Sequence, residues 1–138
     1  MKVITILSIL AFIGIADESD KSSVLVITDD TYHAALKAHP LLFIKFYAPW
    51  CGHCQRLAPD WEKVATTLLA KGNKVAIAKM DCTKELEACG ENQVRGYPTL
   101  RFFEYGDMLE EYGGRRSLED LKDYAIWKSR EHAKKVTE

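Results

Sequence analysis

The stretch FIKFYAPWCGHCQ, residues 43–55, carries an apolar run directly into two cysteines that bracket Gly52 and His53. Its first half belongs to LLFIKFYA (Leu41 to Ala48), a continuous apolar segment interrupted only by Lys45. Such a run predicts a strand buried on both faces. The next segment, CQRLAPDWEKVATTLLAKG, repeats Leu57, Trp61, Val64, Ala65, Leu68 and Leu69 at helical spacing, with Gly72 where a helix C-terminus favours glycine. Pro59 lies inside that helix and predicts a kink. Cys51 and Cys54 therefore sit where a buried strand hands over to a helix.

Working outward, VLVIT (Val24 to Thr28) reads as a short strand, and Thr28 or one of the aspartates after it as the cap of a helix over DTYHAALKAH that ends at Pro40. KVAIAKMD is a further strand and TKELEACGENQ a short helix. PTLRFFEY and MLEEY form an antiparallel hairpin turning at Gly106-Asp107, and Ser117 with Asp120 is a capping box for the last helix. Strands separated by helices pair in parallel and the final two pair as a hairpin. The prediction is an α/β domain: a mixed, mostly parallel central sheet, helices on both faces and a C-terminal antiparallel hairpin.

The length of 138 residues suits one domain, and a net charge of -1 offers no electrostatic grip on nucleic acid or an anionic membrane. Lys2, the apolar run Val3 to Ile15, and the small residues Gly14 and Ala16 have the layout of a signal peptide cleaved after Ala16. A buried N-terminal strand or an uncleaved anchor is the alternative, but a membrane span needs about 20 apolar residues. The expected organisation is a leader at 1–16, a polar segment at 17–23 and a folded domain at 24–138. A secreted chain meets an oxidising compartment, where disulfides persist. HAKKVTE is not a retrieval signal of the K-D-E-L type, so the endoplasmic reticulum lumen and secretion both stay open.

Two residues between cysteines at a helix start bring the sulfurs within disulfide reach. The first thiol then faces unpaired backbone N–H groups at the positive end of the helix. These favour thiolate and lower a cysteine pKa from about 8.5 into the range of roughly 3.5 to 7.5. Cys51 is thus the expected nucleophile and Cys54 the resolving thiol. A partly protonated His53 between the sulfurs would favour the reduced form and make the disulfide a stronger oxidant. The competing readings are a structural disulfide and half of a zinc site. Zinc usually needs two ligand pairs, and the remaining cysteines, Cys82 and Cys89, belong to another element.

FYAPWCGHC together with VRGYPTL resembles a catalytic domain of the protein disulfide isomerase family, built on the thioredoxin fold. The likeness runs from about Val24 to the end, and MDCTKELEACGENQVRGYPTL is similar to the domains of the thioredoxin-domain-containing protein 5 group. The resemblance implies a nucleophilic Cys51, a resolving Cys54, and a cis Tyr97-Pro98 bond facing the sulfurs. Tyr97 and Trp50 would form a shallow peptide-binding surface, with Tyr47 and Trp61 simply packing. It implies that Arg116, within EYGGRRSLEDL, approaches Cys54 and lowers its pKa. Arg115 could register instead, or the arginine could be an ordinary surface residue. Cys82 and Cys89 are too far apart to bond on one regular helix. An oxidising compartment and the resemblance favour a structural disulfide between them; two free thiols or a second redox switch are the alternatives. No cofactor and no metal are implied.

Lys45 departs from the family pattern, which places a glutamate there behind the resolving thiol, paired with a lysine matching Lys79. Two buried ammonium groups are costly, so one should deprotonate or reach solvent. Lys45 either takes the Cys54 proton as a neutral amine or snorkels out and leaves that proton to water. Gln55 replaces a lysine usual in relatives.

The implied activity is thiol–disulfide exchange that forms, reduces and rearranges disulfides in folding secretory proteins. The implied partners are unfolded or misoxidised chains, with an oxidase or glutathione resetting a monomer. A chaperone-like binding module and a secreted reductant are the rivals.

Overall fold

A computed structural model describes residues 22–138; the leader expected at residues 1–16 lies outside the described residues. The chain runs β1 (Leu25–Val26), α1 (Tyr32–Ala38), β2 (Leu41–Tyr47), α2 (Gly52–Ala70), β3 (Ala76–Asp81), α3 (Leu86–Glu91), β4 (Thr99–Glu104), β5 (Asp107–Glu111) and α4 (Leu118–Thr137). This is the predicted order of elements. The strands form one open five-stranded sheet in the order β1-β3-β2-β4-β5. β1, β3 and β2 run parallel, while β4 pairs antiparallel with β2 and with β5. The chain thus adopts the thioredoxin fold.

β2 lies at the centre of the sheet, and its alternation divides the core. Leu41 and Phe43 face α2 and α4, where they meet Leu57, Trp61, Leu68, Leu121 and Ala125. Leu42, Ile44 and Phe46 face α1 and α3, against Tyr32, Ala35, Ala88 and Cys89. Phe43 is the aromatic hub, with ring centroids 4.9 Å from Trp61 and 5.2 Å from Tyr124. Trp61 is fully buried, and its Nε1–H donates to the Ala78 carbonyl at 3.0 Å, so the indole pins α2 to β3 without an orphaned donor.

Three local expectations need correction. The hairpin turns at Tyr105-Gly106, with φ of +50° and +86°, and Asp107 already pairs with Glu104. Both central residues in the left-handed region suit the right-handed twist of the flanking strands, which outweighs the preference for a smaller residue at Tyr105. The first strand is shorter than Val24 to Thr28, because only Leu25 and Val26 reach β3 in register. The cap position of α1 is Thr31, whose Oγ1 accepts from Thr28 N–H at 2.9 Å. Asp29 instead accepts from Ala88 N–H at 2.8 Å, capping α3 from 59 residues away. Pro59 lies inside α2, which runs unbroken as one helix of 19 residues. That helix ends in a Schellman arrangement: Gly72, at φ +65°, donates to Leu69 O and Asn73 donates to Leu68 O.

At α4, Ser117 Oγ accepts from Asp120 N–H at 3.1 Å, and its own hydroxyl donates to the Asp120 carboxylate at 2.6 Å. The turn Ala48 to Cys51 carries the chain from the central strand β2 into α2.

Candidate active site

Cys51 occupies the N-cap position of α2 with extended backbone and makes no side-chain cap bond, which leaves its sulfur free for chemistry. Its N–H donates to Ala48 O at 3.2 Å and its carbonyl accepts from Gln55 N–H at 3.0 Å, fixing the turn. Gln55 secures the same turn, donating from Nε2 to Pro49 O at 3.0 Å. Cys51 is half-buried and Cys54, one turn into the helix, is buried; both are thiols.

Their electrostatics diverge. The backbone N–H of Cys54 holds the Cys51 thiol below its ordinary value, assisted by the Cys54 side chain, the His53 N–H and the Arg56 charge. Burial pushes the Cys54 thiol up; the Ala48 N–H is the main opposing influence, Cys51 adds to the rise and Lys45 opposes it least. One sulfur is prepared to attack and the other holds its proton.

Tyr97-Pro98 is a cis bond, and the loop it shapes lies over the nucleophile. The Cys51 thiol donates to the Tyr97 carbonyl at 3.6 Å. Trp50, 71 % exposed, stands edge-on to Tyr97 with centroids 6.0 Å apart. Together they form a small apolar platform beside an accessible sulfur. Tyr47 and Trp61 lie elsewhere, Trp61 within the core.

His53 is exposed, and Arg56 Nη2 lies 2.8 Å from its Nδ1. The Arg56 charge is among the influences that hold the Cys51 thiol below its ordinary value. Sequence reasoning passed over Arg56, although its place three residues after His53 on the helix was the available signal. Gly52 is not conformationally required: a Cβ there would meet Arg56 at an ordinary 3.5 Å.

Arg116 reaches toward the cis-proline loop, its Nη2 at 3.5 Å from Pro98 O, whereas Arg115 turns its carbonyl to the Tyr112 hydroxyl. Of these adjacent arginines, only Arg116 joins His53, Arg56, Leu57 and Asp60 around a concavity of about 260 Å³.

Lys45 is 3 % exposed, on the same face of β2 as Phe43 and directly opposite Lys79 in the β3 register. Its Nζ lies 5.1 Å from the centre of the Tyr47 ring. Burial first, and the Lys79 charge second, lower its pKa to about 8, against the attraction of Cys54 and Glu62. Lys79 finds an acid: its Nζ is 3.5 Å from Glu62 Oε1, at the edge of α2. Of the two lysines, Lys79 is thus the one paired at the surface, and Lys45 remains inside rather than snorkelling out.

Cys82, just past β3, and Cys89, in α3, are joined by a disulfide with Cα atoms 5.6 Å apart. Both are buried on the α1/α3 side of the sheet. Among the described residues, no group of three or more His, Cys, Asp or Glu side chains is placed to hold a metal ion.

A dithiol at a helix start, faced by a cis-proline loop on this sheet, defines a class, and the sequence agrees: the pattern of the family described as Thioredoxin matches residues 23–126. The chain belongs to the thioredoxin family. It is 42 % identical over 116 residues to a probable protein disulfide-isomerase ER-60 of Schistosoma mansoni, covering 84 % of this chain and 24 % of that protein. It is 47 % identical over 103 residues to a thioredoxin domain-containing protein 5 homolog of Drosophila melanogaster, covering 73 % and 24 %. The chain thus spans about a quarter of the length of these relatives. Among solved structures, the first thioredoxin domain of mouse protein disulfide-isomerase A4 superposes with a TM-score of 0.71 at 32 % identity, covering 79 % of this chain and 77 % of that one.

Proposed function

We propose that this protein is a thiol–disulfide oxidoreductase of the protein disulfide isomerase type, forming, reducing and rearranging disulfides in secretory proteins as they fold. The observation that carries the reading is the opposed tuning of two adjacent thiols, Cys51 lowered and half-exposed, Cys54 raised and buried. The Cys51 thiolate attacks a client disulfide, one client sulfur leaves, and a mixed disulfide forms. Cys54, once deprotonated, attacks the Cys51 sulfur and releases the client reduced. The reverse sequence introduces a disulfide, and attack by a second client thiol rearranges one. An oxidase or glutathione then restores the pair.

The Tyr97 carbonyl and the Trp50 ring would hold an extended client segment across Cys51. Lys45 is assigned the Cys54 proton: as a neutral amine it accepts it, and the resulting ammonium sits beside the new thiolate. Arg116, at the cis-proline loop, would lower the Cys54 pKa by approaching when the client is bound, and the Cys82–Cys89 disulfide would act structurally. The relatives and the leader read from residues 1–16 support residence in the endoplasmic reticulum lumen.

Reactivation of scrambled ribonuclease tests the reading. It should be lost in a Cys51→Ser, Cys54→Ser double variant, and retention would sink the enzyme assignment. The exposed Trp50–Tyr97 platform favours a second, chaperone-like activity. That activity predicts suppression of client aggregation by the same double variant.

A further inference from the structure

EYGGRRSLEDL sets Arg115 and Arg116 side by side between β5 and α4, outside any helix or strand. No regular ladder therefore decides which of them faces the site. Yet Arg116 reaches Pro98 O at 3.5 Å and lines the concavity with His53 and Arg56, while Arg115 does not.

An anchor on each side makes the choice. Downstream, Ser117 is fixed as the N-cap of α4: its Oγ accepts from Asp120 N–H at 3.1 Å and its carbonyl from Leu121 N–H at 3.0 Å. Upstream, the Tyr112 hydroxyl donates to the Arg115 carbonyl. That carbonyl shares one rigid peptide plane with the Arg116 N–H, so the bond sets the direction in which the Arg116 side chain leaves the backbone.

The hydroxyl is itself held in place. The Tyr112 ring packs on the core, with centroids 4.6 Å from Tyr124 and 6.0 Å from Phe43, and its backbone N–H donates to Leu100 O at 2.7 Å. On its way to Arg115 the ring crosses directly over Gly114. A Cβ on Gly114 would stand 2.6 Å from the Tyr112 hydroxyl oxygen and 2.7 Å from Cζ. Contacts that short force a shift, and the ring can yield only by giving up its aromatic packing. Gly114 is thus required by the close approach of a side chain. Residues 113–117 are exposed, so water could have satisfied the hydroxyl. It takes instead the one carbonyl whose peptide unit carries Arg116.

We propose that Tyr112, passing over Gly114, is a positioning residue that selects Arg116 rather than Arg115 to face the cis-proline loop. The inference rests on the oxidoreductase reading and on the part given there to Arg116. Tyr112 touches no reacting atom, and it acts on client release only through Arg116.

Tyr112→Phe removes the hydroxyl and keeps the ring on the core. The quantity to read, by stopped flow, is the rate of client release from the mixed disulfide divided by the rate of Cys51 attack. Tyr112→Phe should lower that ratio by about twofold to tenfold, the range for one lost hydrogen bond, and by no more than Arg116→Gln does. In an Arg116→Gln background, Tyr112→Phe should lower it no further. An equal fall with and without Arg116 would mean a general loosening of the loop and would overturn the proposal. Arg115→Gln should leave the ratio at the parent value, and a fall matching that of Arg116→Gln would overturn the selection of Arg116. Gly114→Ala, which displaces the ring by contact, should act like Tyr112→Phe; if it fails to fold, Tyr112→Phe carries the test alone.

Nuclear Overhauser contacts between the Arg116 side chain and Pro98 in the reduced protein are the second readout. They should be present in the parent and weaken in Tyr112→Phe, and undiminished contacts would overturn the proposal. If they weaken while Arg116→Gln itself releases client normally, the positioning stands and the role of Arg116 in release falls.

Discussion

The two cysteine pairs of this chain meet opposite surroundings. Cys51 and Cys54 lie at a strand-to-helix turn, one sulfur reached by solvent and backed by N–H groups, the other inside. Cys82 and Cys89 are both buried, bonded to each other, and enclosed by apolar side chains of α1, α3 and the sheet. Reactivity therefore follows placement. A sulfur becomes a nucleophile where backbone N–H groups converge on it and the apolar cover stops. Where most of the cover is kept, as at Cys82 and Cys89, two sulfurs stay bonded to each other.

The largest effect should separate the pairs outright. Cys51→Ser should lower disulfide exchange by at least about 10³-fold, whereas Cys54→Ser should keep attack at Cys51 and accumulate mixed disulfides. Non-reducing gels with a client read both, and a Cys54→Ser variant that releases its client normally would remove the resolving role. Next in size is Lys45→Met, which should slow release from the mixed disulfide by about a hundredfold, the lower end of the range for losing a positioned base. In the parent, release should accelerate as pH rises through about 8, where Lys45 becomes neutral. The methionine variant should lack that inflection in stopped-flow traces. Equal rates would end the proton-transfer role.

A Cys82→Ala, Cys89→Ala variant should lose about 2 to 3 kcal/mol of stability in urea titrations, from the entropy of a short closed loop. Alkylation of Cys51 should change by less than about twofold, since Tyr97, which packs against the cluster holding the disulfide, meets Cys51 only through its backbone carbonyl. A larger change would mean that the buried pair also governs the reactive one. An effect of similar size concerns the pH dependence of folding. Lys45 has a folded pKa near 8 against an ordinary value of 10.5, so between those values the unfolded chain binds more protons and stability rises with pH. The gain, on the order of 3 kcal/mol, should vanish from the difference between parent and Lys45→Met.

Most of this architecture could be read from patterns of burial. The continuous run at Leu41 to Tyr47, the helical spacing after Cys54 and the alternation in the hairpin each reflect a face hidden from water, and they yielded every element in order. What stayed illegible depends on partners distant in sequence. Asp29 looks like a local cap until the fold brings it to Ala88, 59 residues on. Lys79 and Glu62 likewise meet only through the packing of α2 on β3. The site was readable where its chemistry is a motif, at Cys51 and Cys54. It was not readable where the chemistry depends on which way a side chain turns, as when His53 gives its Nδ1 to Arg56.

The three tryptophans are spread across these environments: Trp50 is 71 % exposed next to Cys51, Trp61 is fully buried, and Trp127 is 48 % exposed on α4. The molecule consequently contains its own optical instrument. An indole beside a reactive sulfur should dim when a disulfide forms nearby, while one sealed under the sheet should shift to the red only when the core opens. Trp50→Phe and Trp61→Phe would split the two signals, so that one cuvette follows electron exchange and the integrity of the fold side by side.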